Sequence, residues 1–395
     1  MPNDPQHARI GIRIPPWLGY GREIFQGIGR YMSENNLQWQ VDTAIEADGE
    51  LRSLIINEDW EGDGAIFFRY TKEEAEKFVG RGMPLVSVSR ESPCDWVPRV
   101  HPDNYAIGAL AAEHLMGCGS PNLACWFDPH RSYASERLDG FRQRASEFGR
   151  DVLVIETPVS DYPEKSKREM MNDSIQTELK KLPLPVAVFC RDDILASAIL
   201  REARKLKIET PVDLIVLGVG NDPVLSSVSL PKLSSVTLPG KQIGWCAAEM
   251  LHRALQEGQG IDASKPAEVV ELPVQTVVRR QSTDHLHTPD ELVAKACERI
   301  RMSLGKEKIT VQQLCVTLEI SNTTLLQRFQ AAVGCSPKQF IDRVRHEEAV
   351  RLLLQTAWSI KEIAYELGFR SPEEFDRFFK RISKIAPGRF RDTRE

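Results

Sequence analysis

The sequence predicts a two-lobed α/β region followed by an all-α domain with two helix-turn-helix units. Three observations lead there. From Ala8 to about Arg279, short apolar runs alternate with helix-period segments, the pattern of a parallel sheet covered on both faces. That stretch, roughly 270 residues, exceeds what one such core fills, so it divides into two lobes. Beyond Pro289 the strand-like runs stop and one helical pattern occurs twice. The expected boundaries are 8–280 for the α/β region, 281–288 for a linker and 289–395 for the helical domain.

The 395 residues are 42% hydrophobic and 27% charged, as in an ordinary folded chain. The start, MPNDPQHARIGIRI, has no basic segment ahead of an apolar one, and no later apolar run reaches the roughly eighteen residues that span a bilayer. A cytoplasmic protein with no membrane partner is expected. Cys94, Cys118, Cys125, Cys190, Cys246, Cys297, Cys315 and Cys335 form no CxxC pair and no zinc-type spacing with histidine. Neither a disulfide framework nor a metal site is therefore expected. The formal charge of −5 divides unevenly. Residues 289–395 hold 19 Lys and Arg against 15 Asp and Glu, whereas the rest holds 32 against 41. An acidic body with a basic end points to a polyanion partner for that end alone.

The strand-like runs are, in order, ARIGIRI, LQWQVD, GAIFF, PLVSVS, NLACWF, DVLVIE, VAVFC and LIVLGV. Amphipathic stretches such as REIFQGIGRYMSE, NYAIGALAAEHLM and ERLDGFRQRASEF lie between most of them. Ligands of open α/β sheets bind beyond the carboxyl ends of strands. That rule selects Trp17 and Arg22 after the first run, Arg69 after GAIFF, Asp103 after the segment ending at Val100, and Trp126 and Asp128 after NLACWF. Arg137, Asp192, Asp193, Asn221 and Asp222 follow later strands. Carboxylates, guanidiniums and an amide interleaved with indoles suit a small hydroxylated ligand, because hydroxyls need paired donors and acceptors while indoles cover C–H faces. Other roles stay open for three of these residues. Asp103 can instead cap the helix that follows it, and Trp17 and Trp126 can be core side chains.

GYGREI after the first run, with Asp42 closing the second, has the outline of a dinucleotide fingerprint. Its third glycine position is Ile24, however, and PPWL lengthens the turn that would present a pyrophosphate to helix amides, so no cofactor is expected. No nucleophile elbow, P-loop or HExxH pattern occurs, which leans against an enzyme.

The runs VHPDNYAIGALAAEHL, ERLDGFR, CRDDILASAI and LIVLGVGNDP resemble the sugar-binding core of LacI-type regulators and periplasmic binding proteins, over most of residues 8–280. The resemblance implies a two-lobed periplasmic-binding-protein-like fold and ligand contact by Arg137, three residues before the glycine of GF. Asp193 falls on the acidic position of the family's NDxxA motif, where Asp192 replaces the asparagine. Gly220, beside Asn221 and Asp222, replaces the aspartate usual after the corresponding strand, which leaves the sugar open.

VVRRQSTDHLHTPDELV marks the boundary, a short tether before a helix expected to begin with Thr288 as N-cap and Pro289 at N1. Beyond it, TVQQLCVTLEISNTTLLQRF corresponds to SIKEIAYELGFRSPEEFDRFF. In the second copy Ile360, Ile363, Ala364 and Leu367 share one helical face, Gly368 supplies a left-handed C′ residue, and Phe369 folds back on the core. Ser371, Pro372 and Glu374 form N-cap, N1 and N3 of the next helix, a capping box ahead of the stripe Phe375, Phe378, Phe379 and Ile382. In the first copy Val311, Leu314, Cys315 and Leu318 form the face, and Ser321 with Asn322 starts a helix over Leu325 and Phe329. Each copy is a helix-turn-helix. Between them a helix of about twenty residues from Ser336 spans roughly 30 Å at 1.5 Å per residue, near the 34 Å repeat of successive major-groove faces.

The run from Ile360 through IAYELGF, SPEEFDRFFK and Pro387 to FR resembles the AraC/XylS type of DNA-binding domain over residues 289–395. Behind a LacI-like sensor, it resembles the xylose operon regulators. Glu319 and Lys384 stand at positions usually glycine, and Gln327 where arginine is common. Thr323, Leu326, Gln327, Glu373 and Arg377 point away from the apolar stripes, and Arg377 can grip a guanine edge for about 1–3 kcal/mol of discrimination. Arg328, Lys380, Arg381 and Arg389 suit phosphates. The implied function is transcription regulation by a homodimer on duplex DNA, activating catabolic genes with RNA polymerase as a partner and xylose or a related pentose as effector. Two rivals stand beside it: a cytoplasmic sugar-binding protein with no DNA role, and an NAD-linked enzyme.

Overall fold

The structure, a computed structural model, describes residues 4–43, 60–156, 165–258, 260–274, 276–288, 290–303, 309–333 and 335–392. The α/β part comprises β1 (Arg9–Arg13), α1 (Gly19–Glu34), β2 (Gln40–Thr43), β3 (Gly64–Phe67), α2 (Lys72–Gly80), β4 (Leu85–Ser87), β5 (Arg99–Pro102) and α3 (Asn104–Met116). It continues with β6 (Asn122–Phe127), α4 (Ser132–Glu147), β7 (Val152–Glu156), α5 (Lys165–Leu179), β8 (Val186–Cys190), α6 (Asp193–Lys205) and β9 (Leu214–Val219). It ends with α7 (Pro223–Val228), β10 (Ser234–Val236), α8 (Gly240–Glu257), β11 (Val269–Leu272) and β12 (Val277–Val278). The helical part comprises α9 (Glu291–Met302), α10 (Val311–Thr317), α11 (Asn322–Val333), α12 (Pro337–Gln355), α13 (Ile360–Glu366), α14 (Pro372–Ser383) and α15 (Pro387–Asp392). The chain forms two compact units, residues 1–107 with 129–137 and 238–275, and residues 108–128 with 138–237 and 276–395.

The first unit is built on a parallel sheet of order β11-β5-β4-β3-β1-β2. Every residue from Ile10 to Ile14 is buried, those of one parity on each face, as a strand covered on both faces requires. Helices α1 and α8 approach backbone to backbone: a Cβ on Gly27 would lie 1.9 Å from the Lys241 carbonyl oxygen, and one on Gly244 would lie 2.0 Å from that of Ile24. Gly21, in the dinucleotide-like run, is likewise pressed on the loop, its would-be Cβ 2.0 Å from the Pro15 carbonyl oxygen. Asp42 accepts from Arg9 Nε at 2.6 Å and from Trp60 Nε1 at 2.9 Å. Gly21 and Asp42 are thus used by the fold itself.

In the second unit the sheet order is β12-β10-β9-β8-β6-β7, parallel except for β12 against β10. Phe141 stacks on Phe189, ring centroids 5.2 Å apart. The same unit holds the helical part, with two cores. Val293, Ile300, Leu314, Leu325, Phe329 and Phe340 make one, and Leu353, Ile363, Ala364, Phe375, Phe379 and Phe390 the other. Helix α12 supplies both, Phe340, Ile341 and Val344 to the first and Ala349, Val350, Leu352 and Leu353 to the second. Its 19 residues extend about 28 Å.

Three local expectations change. The segment expected as a tether is packed: Ser282 and Thr283 are fully buried in a 3-10 turn, and the Ser282 hydroxyl donates to the Val216 carbonyl at 2.6 Å. Its small hydroxyl side chains satisfy backbone groups of β9 and β10, which polarity alone disguised as linker. Helix α9 begins at Glu291 with Asp290 as N-cap, while Thr288 Oγ1 accepts from the Asp290 amide, because a carboxylate next to the first turn meets two free amides at once; Pro289 lies outside the described residues. At α14 the Ser371 cap forms, but Glu374 reaches past it to the Arg370 amide, and Ile382 is 38% exposed at the stripe's end.

Candidate DNA-binding interface and ligand-facing residues

Helix-turn-helix geometry comes from well-terminated short helices. Capping boxes open α10 (Thr310 with Gln313), α12 (Ser336 with Gln339) and α13 (Ser359 with Glu362). Gly368 takes φ +76°, and the Phe369 amide donates to the Ala364 carbonyl at 3.0 Å, so the chain turns and drops Phe369 onto Phe375 and Phe378. At the matching turn of the first unit Glu319 adopts φ +52°, and after α14 Lys384 adopts φ +64°. Both are side-chain-bearing residues in the left-handed region.

Leu325 and Phe329 face inward from α11, so Thr323, Leu326, Gln327 and Arg328 are all exposed. On α14, Phe375, Phe378 and Phe379 are buried and Glu373, Arg377, Lys380 and Arg381 exposed. The Ser371 hydroxyl and the neighbouring guanidinium of Arg377 help hold the Glu373 carboxyl below its ordinary range. Two of the cations have partners within the domain: Arg328 Nε lies 3.0 Å from Asp290, and Arg381 Nη2 3.0 Å from Asp342. Such exposed pairs contribute about 1 kcal/mol at most, so a phosphate can displace either carboxylate.

Among the residues selected for a small ligand, the first unit holds Trp17, Arg22, Arg69, Asp103 and Arg137. Trp17 is 41% exposed, and Arg22 Nη1 donates to the Pro16 and Trp17 carbonyls at 3.0 Å, which props the loop after β1. The Arg69 guanidinium stands over the Phe68 ring, and its carbonyl takes two hydrogen bonds from Arg13. Asp103 Oδ1 accepts from the Ala106 amide at 2.8 Å, the capping role left open by its position before α3. Arg137, buried, donates from Nε to Asn104 Oδ1 at 3.0 Å and lies over Tyr133. Asn104 was not singled out from the sequence; its place as first residue of the helix after β5 was the available signal.

The second unit holds Trp126, Asp193 and Asn221. Trp126 is closed from solvent in the core with Ala124, Ile155 and Val188, the packing role left open for it. Asp193 is turned into the lobe: Oδ1 accepts from the Ser235 hydroxyl at 2.6 Å and Oδ2 from the Asp222 amide at 2.7 Å. Both oxygens are engaged under the loop after β9, where Gly218 and Gly220 leave room for the carboxylate. Asp192, one residue earlier, caps α6 through the Leu195 amide, and Asp222 caps α7. Asp128, fully buried, pairs with Arg191 at 2.6 Å. Asn221, at φ +50°, accepts from Arg280 Nη2 at 2.7 Å.

A periplasmic binding protein-like domain model matches residues 112–283, and a helix-turn-helix domain model matches residues 314–393. The xylose operon regulatory protein of Escherichia coli (strain K12) is 31% identical over 98% of this chain and 97% of that protein. The chain belongs to the family of xylose operon regulatory proteins. A Haemophilus influenzae member is 27% identical over 98% of each sequence. The solved structure of a xylose-binding transcription activator superposes over 99% of both chains with TM-score 0.60 and 28% identity. A LacI family regulator from Enterococcus faecium, solved with bound ribose, shares the fold over 71% of this chain, with TM-score 0.57 and 20% identity. In this family a two-sheet α/β sensor precedes an AraC-type helix-turn-helix domain, and the chain is a sugar-responsive DNA-binding transcription regulator. The helix-turn-helix match takes in both α11 and α14. Among the described residues no helix is long and apolar enough to cross a membrane.

Proposed function

We propose that this regulator answers to xylose or a closely related pentose and activates genes for its breakdown, acting as a homodimer on paired DNA sites. The observation that carries the reading is the 31% identity, end to end, with a xylose operon regulatory protein. The exposed tryptophan at position 17 and the polar residues at the strand ends suit a sugar, with Arg22, Arg69, Arg137 and Asn221 as candidate contacts for hydroxyls and the indole as a cover for a C–H face. Asp193 supports the site from beneath rather than offering a free oxygen, and Trp126 gives the second lobe its shape.

On DNA, Arg377 is the candidate for bidentate contact with a guanine edge, and Glu373 can accept from a cytosine amino group. Gln327 and Thr323 fill the corresponding places on α11, with Leu326 against a thymine methyl. Arg328, Lys380 and Arg381 hold phosphates. Regulation follows if the sugar binds two conformations of the sensor unequally, since a ligand shifts an equilibrium only by its differential affinity.

A thermal-shift screen of pentoses and hexoses on the intact chain tests the effector, because a ligand of the native state raises the melting temperature. D-Xylose or a neighbouring pentose should give the largest rise. A larger rise with hexoses, and none with pentoses, would contradict the reading.

A further inference from the structure

The segment that leaves the sensor carries two consecutive arginines, Arg279 and Arg280, directly after β12. Arg280 is extended, at φ −141° and ψ −165°, and successive side chains of extended backbone point to opposite sides. Their partners follow that alternation. Arg280 turns into the sensor: Nη2 donates to Asn221 Oδ1 at 2.7 Å and Nη1 to the Leu233 carbonyl at 2.8 Å. Asn221 sits on the loop beyond the carboxyl end of β9, the edge where a ligand of such a sheet binds. Arg279 turns the other way and meets helix α12, its Nη1 lying 3.3 Å from Glu347 Oε2. It also donates from Nη2 to the Thr283 carbonyl at 3.1 Å.

This strap is anchored firmly along its length. The Arg280 amide donates to Ser234 Oγ at 2.7 Å, the Thr283 hydroxyl donates to the same Ser234 oxygen, and Thr283 Oγ1 lies 2.9 Å from His114 Nε2 on α3. On the helical side, Arg301 of α9 pairs with Asp284 at 3.2 Å, and Arg301 and Arg343 both stand over the Phe340 ring. Arg279 and Arg301 thus share the carboxylates of Asp284 and Glu347, and the Arg343 guanidinium is near enough for Glu347 to feel its charge. Arg279 Nε, Arg301 Nη2 and Nε and Nη2 of Arg343 have no hydrogen-bond partner among the described residues, while Arg301 Nε meets Asp284 as an ion pair. Glu347 compensates a cation-rich junction, so its charge is felt there.

We propose that Arg279 and Arg280 form a two-sided coupler that carries sugar occupancy from the Asn221 loop to helix α12, with Glu347 as its receiving group on the DNA-binding domain. The coupler rests on the sugar-responsive reading above and adds the path. Because α12 is packed into the cores of both helix-turn-helix units, a shift of Glu347 moves the two recognition helices together.

The test uses the intact chain and a labelled duplex selected from random sequence by the chain itself. DNA affinity is measured by anisotropy with and without saturating D-xylose, and the ratio of the two Kd values is the readout. Glu347→Gln and Arg280→Gln should each bring that ratio at least fivefold closer to one. Glu348→Gln, which removes the charge of the Arg351 pair on the same helix, should leave it within twofold. Arg279→Lys, which keeps the charge but not the fork, serves if Glu347→Gln does not fold, and should act likewise. Variants that bind sugar and DNA with an unaltered ratio would overturn the coupler. A ratio of one in the unaltered chain would instead overturn the pentose reading, and the coupler with it.

Discussion

Glu319 and Lys384 occupy left-handed backbone positions that cost a side-chain-bearing residue roughly 1–2 kcal/mol. Glycine at either should therefore stabilise its helix-turn-helix unit by about 1 kcal/mol, seen as slower native-state hydrogen exchange of the flanking amides; faster exchange would mean that the side chains make compensating contacts. Both turns were visible in the sequence as places where glycine was expected and absent. On the proposed roles, Arg377 contacts a base edge and Lys380 a phosphate. Arg377→Ala should relax base preference at one position, whereas Lys380→Ala should weaken all duplexes alike by removing a phosphate contact. Loss of affinity without any change of preference in both variants would show the roles to be wrongly divided. Arg328 and Arg381 show what one-dimensional pattern conceals: their exposure followed from the apolar stripe, but their partners, 38 and 39 residues away, are the α9 cap Asp290 and Asp342 of α12.

Among the elements, the strongly periodic ones were legible. The eight longer apolar runs are strands, and the repeated helices appear at their expected places because hydrophobic period and capping chemistry agree there. The short strands β10 and β12, of three and two residues, gave no periodic signal, and the strap after β12 passed for a linker because its serine and threonine side chains are polar. What buries them is β-sheet pairing and hydrogen bonding to β9, a long-range property. The loop beyond β9 carries its own pH signature. Burial pushes the Asp193 carboxyl up to about 7, although its hydrogen bonds from Ser235 and the Asp222 amide pull the other way. The folded chain then keeps a proton that the unfolded chain releases near the ordinary 3.8, so this group favours folding most at low pH, and the advantage is lost as pH rises through about 7. Asp193→Asn cannot ionise and should flatten the fall in melting temperature between about pH 4 and 7, the interval from the ordinary value to the raised one. An equally steep fall in the variant would assign the titration to another group.

For the whole molecule, charge and architecture agree. The basic excess lies in the helical domain, where Arg377, Lys380 and Arg381 are exposed along α14, and the sensor preceding it is acidic. DNA affinity should fall steeply and log-linearly with salt, because each neutralised phosphate releases condensed counterions. The domain order was legible from the change in periodicity near Pro289 and from the internal repeat. The coupling between sensor and helices was not, since it depends on which side of an extended segment each of two adjacent arginines faces. The central claim, that sugar bound to the sensor alters how the helical domain holds DNA, is tested most directly by one titration. A duplex selected by the intact chain is titrated by anisotropy in the absence and presence of saturating D-xylose at fixed salt. A change in Kd of about tenfold or more, equivalent to about 1.4 kcal/mol of coupling, is the predicted result. Identical curves, with xylose binding verified in the same sample by calorimetry, would contradict the account.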